Sequence, residues 1–494
     1  MRSNLNMAMV CMLNETAIAE VRVRNASHEG KCEVLKFGNE HVYEYNGELT
    51  WTSQQRAVIF ASFYAGGLIA TLVTETSLLP IYRSRRDERL DWHYPDFEPT
   101  IDHTKLNRYM GAKRLVLHGA IINVLGTFAT PPVAVYLGTI PMVMLRFVMG
   151  FGQGLLWPCM SVLVGHWFPP TEKSTALAIA TTGNQLSVVI AMFATAELCQ
   201  LPFFGGWPMA FHTYGILGVL LCILWQTFVD DVPANALGIT DEEVQVITNT
   251  GARKPRVQKA NWAQLLSSAV VWSTAGSAFA HNFITVGTVT YLPLYYKTVL
   301  NMSLTSNGIL SALPFVCQFI SKIIYAGFAD ESKKRGWISF TNVTKACNSS
   351  ASFGLALCFA LLCFCDCSHR ITAVVLICLA MAFVSGYIPG YNTSVVSIAP
   401  SQTAAIASFS RIWAQIASSL APYEIGALTK TGTLEEWRIV FITIVIICLI
   451  TGLFFQVSGS ADVQSWDSSP TEDPKEELIE KTPDVAESKM NDNS

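Results

Sequence analysis

Residues 146–174 read RFVMGFGQGLLWPCMSVLVGHWFPPTEKS. From Arg146 to Phe168 the run is apolar and, at 1.5 Å per residue, long enough to cross a hydrocarbon core roughly 30 Å thick. Yet it opens on a guanidinium, carries Gln153 among three glycines, breaks at Phe168-Pro169-Pro170 and turns charged at Glu172-Lys173. A charge at membrane depth is costly and faces a cavity or a partner. The stretch therefore reads as a membrane helix with one polar side. Arg146, Gly150, Gln153 and Trp157 recur at i, i+4, i+7 and i+11, a single helical face on which Gly150 is expected to leave space between Arg146 and Gln153. Gly150 to Gly154 is not a nucleotide loop, because it lies inside a helix and no strand precedes it.

The rest of the chain repeats this texture. Of 494 residues, 51% are hydrophobic and 14% charged, where a soluble protein carries about 25% charge. Mean hydropathy is +0.35. Apolar blocks at 56–80, 112–134, 139–165, 174–198, 209–229, 267–295, 306–328, 338–365, 372–396, 402–428 and 437–458 predict helices. Residues 2–13, RSNLNMAMVCML, are apolar but short of a full crossing, and read as the outer half of a first helix whose inner half is missing. The fold class is an all-α, multi-pass membrane protein of about 12 helices. A net charge of −4 implies nothing about nucleic acid, but no basic stripe or RNA-binding motif is present, so no nucleic-acid partner is expected. The 13 cysteines lie mostly inside apolar blocks and read as small buried residues, with only Cys11 and Cys32 placed to face an oxidising side.

Loop charge sets the orientation. RSRRDER (83–89), NRYMGAKR (107–114), ARKPRVQK (252–259) and ESKKRG (331–336) fall on one side if the helices alternate, whereas ATPPVAVYLGT (129–139) and CQLPFFGGWP (199–208) are free of Lys and Arg. The basic loops are therefore cytoplasmic. The segment 14–55 is then extracellular or lumenal, with Asn25-Ala26-Ser27 as an expected glycosylation site. The expected organisation is a half-bundle over 1–230, a central cytoplasmic loop over 231–266, a second half-bundle over 267–458 and a disordered acidic tail over 459–494.

Two six-helix halves joined by a cytoplasmic loop resemble the major facilitator architecture. NRYMGAKR and GFADESKKRG (327–336) resemble its cytoplasmic gating motif. On that resemblance Arg108, Gly111, Lys113, Arg114 and Asp330 are gating residues, the glycine allowing a tight turn and the basic groups pairing with helix ends or acids. The first copy has Asn107 where the motif's acid usually sits. The quoted stretch, with RSNLNMAMVCMLN, GGWPMAFHTYGILG, YLPLYYKTVLNMSLTSNGILSALPF, GYNTSVVSIAP and SGSADVQSW, is similar in sequence and order to solute carrier family 17. That family holds sodium/phosphate cotransporters, sialin and vesicular glutamate transporters.

The resemblance and the residues together nominate a site. An arginine presents a planar fork of donors matched to a carboxylate or phosphate, so Arg146 is expected to bind an anion near the outer mouth of a central cavity. Gln153, His281, Asn392 and Arg411 are the other expected binding residues. Glu75, where the family has glycine, is a candidate coupling acid. Gln153 replaces a family glutamate and cannot titrate, and Phe60 stands where vesicular glutamate transporters carry histidine. The expected function is secondary-active transport of inorganic phosphate or small organic anions by alternating access, coupled to sodium or voltage. The alternatives are a proton-coupled transporter of sialic-acid-like or glutamate-like anions and a non-transporting relative. An enzyme is not expected, since no nucleophile-elbow, zinc or P-loop signature is present. No cofactor or metal is expected beyond sodium or a proton as coupling ion. The protein is expected to be a monomer in the lipid bilayer of the plasma membrane or of a lysosomal or vesicular membrane.

Overall fold

The computed structural model describes residues 4–13, 47–84, 111–168, 173–201, 206–231, 233, 239–240, 242–243, 261–336 and 338–467. Twelve principal helices run through these residues. They are α1 (Asn4–Met12), α2 (Ser53–Ser84), α3 (Ala112–Pro132), α4 (Thr139–Trp167), α5 (Lys173–Gln200), α6 (Trp207–Phe228), α7 (Ala269–Thr298), α8 (Leu304–Lys334), α9 (Phe340–Leu362), α10 (Arg370–Val384, continuing through irregular turns to Ser397), α11 (Thr403–Leu428) and α12 (Leu434–Ser458). A short helix, Trp262–Ser267, leads into α7 and is capped by the Asn261 side chain. Eight segments are long and apolar enough to cross a membrane. The long helices α7 and α11 fall outside that set because they carry polar residues through their middles: Ser273, Thr274, Ser277 and His281 on one, Ser408, Ser410, Arg411 and Gln415 on the other.

Breaks in the helices follow from residue chemistry. Pro131 and Pro132 close α3, a wide turn at Val133–Leu137 follows, and Gly138 at φ 79° reverses the chain into α4, a conformation glycine adopts without penalty. In α10 the segment Ser385–Tyr387 tightens, Ile388–Asn392 widens, and Gly390 leaves helical geometry beside Pro389. Pro293 inside α7 cannot donate to the carbonyl four residues earlier, Val289. Asn6 of α1 supplies the missing donor at 3.1 Å. In a medium without water this kind of replacement is required.

α2, α3, α4, α5 and α6 pack on one another, as do α7 to α12. The two groups meet most closely at their outer ends. The Ser53 hydroxyl donates to Lys430 O at 3.1 Å, the Lys297 ammonium to Val10 O at 3.0 Å, and Gln200 Nε2 to Thr305 Oγ1 at 2.8 Å. Gly308 of α8 lets Ala196 of α5 approach, since a Cβ there would lie 2.5 Å from the alanine methyl. α1 is buried along its whole length between the groups, near α5 and α7. On the outside, α6 exposes Ile216, Leu217, Leu220, Leu221 and Ile223, an apolar face suited to lipid.

Two expectations need correction. The tail does not leave the bundle at residue 459. Ala461 N–H donates to Thr341 Oγ1, the Thr341 hydroxyl donates to Asp462 Oδ2 at 2.7 Å, Gln464 N–H donates to Ile398 O at 2.8 Å, and Ser401 bonds Asp467. Residues 459–467 thus run back across the inner ends of α9 and α10, because their short polar side chains meet exposed helix-end groups. The second correction concerns cysteine. Cys11 is buried and free, whereas Cys367 is disulfide-bonded to a partner outside the described residues. Helix α9 ends at Leu362, so Cys367 emerges into a turn on the outer side, where an oxidising environment sustains a disulfide. In the same turn the Ser368 hydroxyl, the His369 ring and the Ser368 N–H hold the Asp366 carboxyl well below the usual carboxylate range.

Candidate anion-binding site

The site begins with the contact between α2 and α4. A Cβ on Gly150 would lie 1.7 Å from Phe63 O, and one on Gly66 would lie 2.0 Å from Phe147 O. Gly154 faces Ala70 across the same contact. The small residues let two helix backbones touch, as small-residue motifs do in membranes. Gly150 therefore serves helix packing and does not open a space between Arg146 and Gln153.

The close approach delivers the Phe63 ring to Arg146, with the guanidinium carbon 4.8 Å from the ring centroid. Arg146 is 2% exposed. Its Nη1 reaches Met149 Sδ at 3.9 Å, and its Nε has no hydrogen-bond partner. Among the described residues no carboxylate pairs with it. Phe63, Tyr64 and Met149 pack against Val286 of α7, so the arginine stands at the seam between the two helix groups. A ring face and a thioether hold the cation in place without using up its fork of donors. Gln153, half-buried, follows Arg146 by about 10 Å along the same helix.

Across the seam, the second group contributes a polar cluster. His281 of α7 lies five residues before Val286, about 7.5 Å deeper along the helix. Its Nδ1 is 3.1 Å from the Tyr391 hydroxyl, and its ring stacks on Tyr387 with centroids 5.3 Å apart. The Tyr387 hydroxyl meets Ser352 Oγ at 3.1 Å, and Asn348 Nδ2 donates to Ser277 Oγ one turn below His281. Asn392 follows Tyr391 at the end of the widened turn, and Arg411 lies on α11, which packs along α7. The structure thus joins His281 to Tyr387 and Tyr391 within the second group, and places Arg146 and Gln153 on α4 of the first.

Tyr387 and Tyr391 were not singled out by the sequence. A tyrosine in an apolar block looks like core, and only the irregular turn at Ile388–Asn392 in the structure shows both rings set against His281 of α7. Lys322, in the middle of α8, was also overlooked, although it is a charge at membrane depth.

The expected gating residues divide. Gly111 and Lys113 meet the end of α6: Lys113 N–H donates to Asp231 Oδ1 at 2.7 Å, and its ammonium lies 3.7 Å from Asp230 Oδ2. A Cβ on Gly111 would collide with the Asp231 carboxylate, and Trp225 Nε1 and Trp167 Nε1 donate to Lys113 O and Asp230 O. The acid that Asn107 does not supply thus comes from α6, where it caps the start of α3. Arg114 and Asp330 are exposed. Arg108 and Asn25 lie outside the described residues, as does the side chain of Glu75 in α2.

A bundle of long apolar helices in two packed groups, with a buried arginine at the seam between them and a polar cluster within the second group, is the architecture of a membrane transporter. The chain belongs to the Major Facilitator Superfamily, whose pattern matches residues 104–422. It is 28% identical over 94% of its length to an uncharacterized transporter of Caenorhabditis elegans, covering 86% of that protein. It is 26% identical to sodium-dependent phosphate transport protein 3 of Mus musculus, with 94% of this chain and 91% of that one aligned. Human sialin is 25% identical, with 94% and 87% aligned. These relatives belong to the group that the helix-4 motif resembles. Among solved structures, the fold matches a D-xylose–proton symporter with a TM-score of 0.61 at 12% identity, over 93% of this chain and 95% of that one. A bacterial homolog of the human lysosomal transporter Spinster matches with a TM-score of 0.58 at 12% identity, over 92% and 94%.

Proposed function

We propose that this protein is a secondary-active transporter of small anions, inorganic phosphate or an organic carboxylate, working by alternating access between its two helix groups. The observation that carries the reading is Arg146, a buried guanidinium held by Phe63 and Met149 at the seam with its Nε unpaired, while the second helix group holds the His281–Tyr391 pair. A planar fork of donors is matched to an oxyanion. The relatives named for phosphate transport and the sialin relative support an anionic cargo.

Coupling follows from Gln153. An amide in the middle of α4 holds no proton, so the gradient that drives this protein is sodium or voltage. The membrane is the plasma membrane or that of a lysosome or vesicle, and the working unit is a monomer that moves a solute without chemical change.

The test is uptake of radiolabelled phosphate and of an organic-anion panel into proteoliposomes under imposed sodium, proton and voltage gradients. Uptake driven by sodium or voltage and abolished in Arg146→Ala is expected. Uptake driven by a proton gradient alone would overturn the coupling assignment, and absence of uptake for every anion would overturn transport. Gln153→Glu is expected to add pH dependence to the rate, because a carboxylate in that position can titrate.

A further inference from the structure

Lys322 is the charged side chain near the proposed site that the anion reading has not yet used. It is half-buried and lies twelve residues from the inner end of α8 at Lys334. His281 lies twelve residues from the inner end of α7 at Ala269. At 1.5 Å per residue both sit about 18 Å into their helices from the inner end. Gln318, Ser321, Lys322 and Tyr325 share a face of α8, spaced i, i+3, i+4 and i+7.

That face looks onto the break in α10. Ser321 Oγ lies 2.8 Å from Ser385 Oγ, the Ser385 hydroxyl donates to Gln318 O at 2.9 Å, and a Cβ on Gly386 would lie 3.1 Å from the Tyr325 ring. The next residue, Tyr387, is the one stacked on His281. Lys322 thus lies on the α8 face that meets the α10 segment bearing Tyr387 and Tyr391.

We infer that Lys322 is a further cation of the anion site, and that it selects for cargo carrying two negative charges over cargo carrying one. This rests on the transporter reading above. The energy between fixed charges scales with their product, so one protein cation attracts a dianion twice as strongly as a monoanion in the same place. Removing it should therefore square the fold-loss in affinity on going from monoanion to dianion. A residue that matters only for packing would weaken both equally.

The experiment uses the purified full-length protein and reads binding from anion-induced shifts in the thermal unfolding midpoint. The probes are two pairs matched in size: succinate with butyrate, and sulfate with perchlorate. For any pair that stabilises the wild type, Lys322→Met is expected to weaken the dianion about tenfold and the monoanion about threefold. Lys322→Arg is expected to stay within about twofold of wild type for both, since it keeps the charge. Equal losses for the two charges, or none, overturn the inference and leave the transporter reading intact. If Lys322→Met does not fold, Lys322→Gln takes its place. If neither neutral variant folds while Lys322→Arg does, the charge is structural and the inference falls. If none of the four anions stabilises the wild type, the inference also falls, and the transporter reading is decided separately by phosphate uptake.

Discussion

Arg146→Lys keeps a positive charge at the seam but removes the fork and the flat face that lies over Phe63. An ammonium is a compact, strongly hydrated point charge and is harder to hold among Phe63, Met149 and Val286. The variant should therefore lose on the order of tenfold or more in transport at equal surface expression, a factor equivalent to ~1.4 kcal/mol. Wild-type kinetics would remove Arg146 from the site. Tyr391→Phe is a milder change, deleting the hydroxyl that meets His281 Nδ1 while keeping the ring. Apparent affinity should fall several-fold, with the unfolding midpoint nearly unchanged; the reverse pattern would make Tyr391 a packing residue. At this scale the sequence was informative where charge contrasts with surroundings. Arg146, His281 and Arg411 stand out because ionisable groups are rare in apolar blocks. Tyr387 and Tyr391 do not, since an aromatic ring is at home in a core and only the geometry of the break reveals its partner.

Gly150 shows the same division among elements. Its position on the polar face of α4 suggested room for a ligand, yet the structure uses it to bring α4 against α2. Gly150→Ala places a methyl where Phe63 O now lies and should cost about 1–3 kcal/mol through overpacking. A drop in the unfolding midpoint in detergent would register it, together with reduced transport, because Phe63 would move away from Arg146. An unchanged midpoint would mean that the two helices separate without penalty. Long helices such as α8 and α12 were legible, α12 to within three residues at each end and α8 to within six, since an apolar run of membrane-spanning length leaves few alternatives. The irregular course of α10 was not legible in that way. Proline and glycine are tolerated in membrane helices wherever neighbours satisfy the freed backbone groups, so Pro389-Gly390 alone does not mark a break. The ordered start of the tail was hidden for a related reason: its residues look disordered until Thr341, Ile398 and Ser401 are known to be adjacent.

For the whole molecule, the described contacts fasten the outer end. Locking that end should stop the cycle. In a Gln200→Cys/Thr305→Cys variant, an oxidative cross-link between α5 and α8 is expected to abolish transport, and reduction is expected to restore it. Transport that continues when the pair is fully cross-linked would show that the outer ends need not separate. Loop charge alone sets the expected membrane orientation, which places the disulfide-bonded Cys367 in an outer turn. An impermeant maleimide should therefore label Cys367 from the outside only after reduction.

Three of the bonds across the outer end share a property. Asn6, Ser53 and Lys297 each donate from a side chain to a main-chain oxygen, of Val289, Lys430 and Val10. Every amino acid carries that oxygen, so the receiving residue can change without loss of the bond. Mutational tolerance across the closure should accordingly be lopsided. Exhaustive substitution would find Asn6, Ser53 and Lys297 restricted, while Val10, Val289 and Lys430 accept any side chain that fits. The closure can drift in sequence on one side only, and relatives that have lost a donor would need a new one from elsewhere to keep the same door shut.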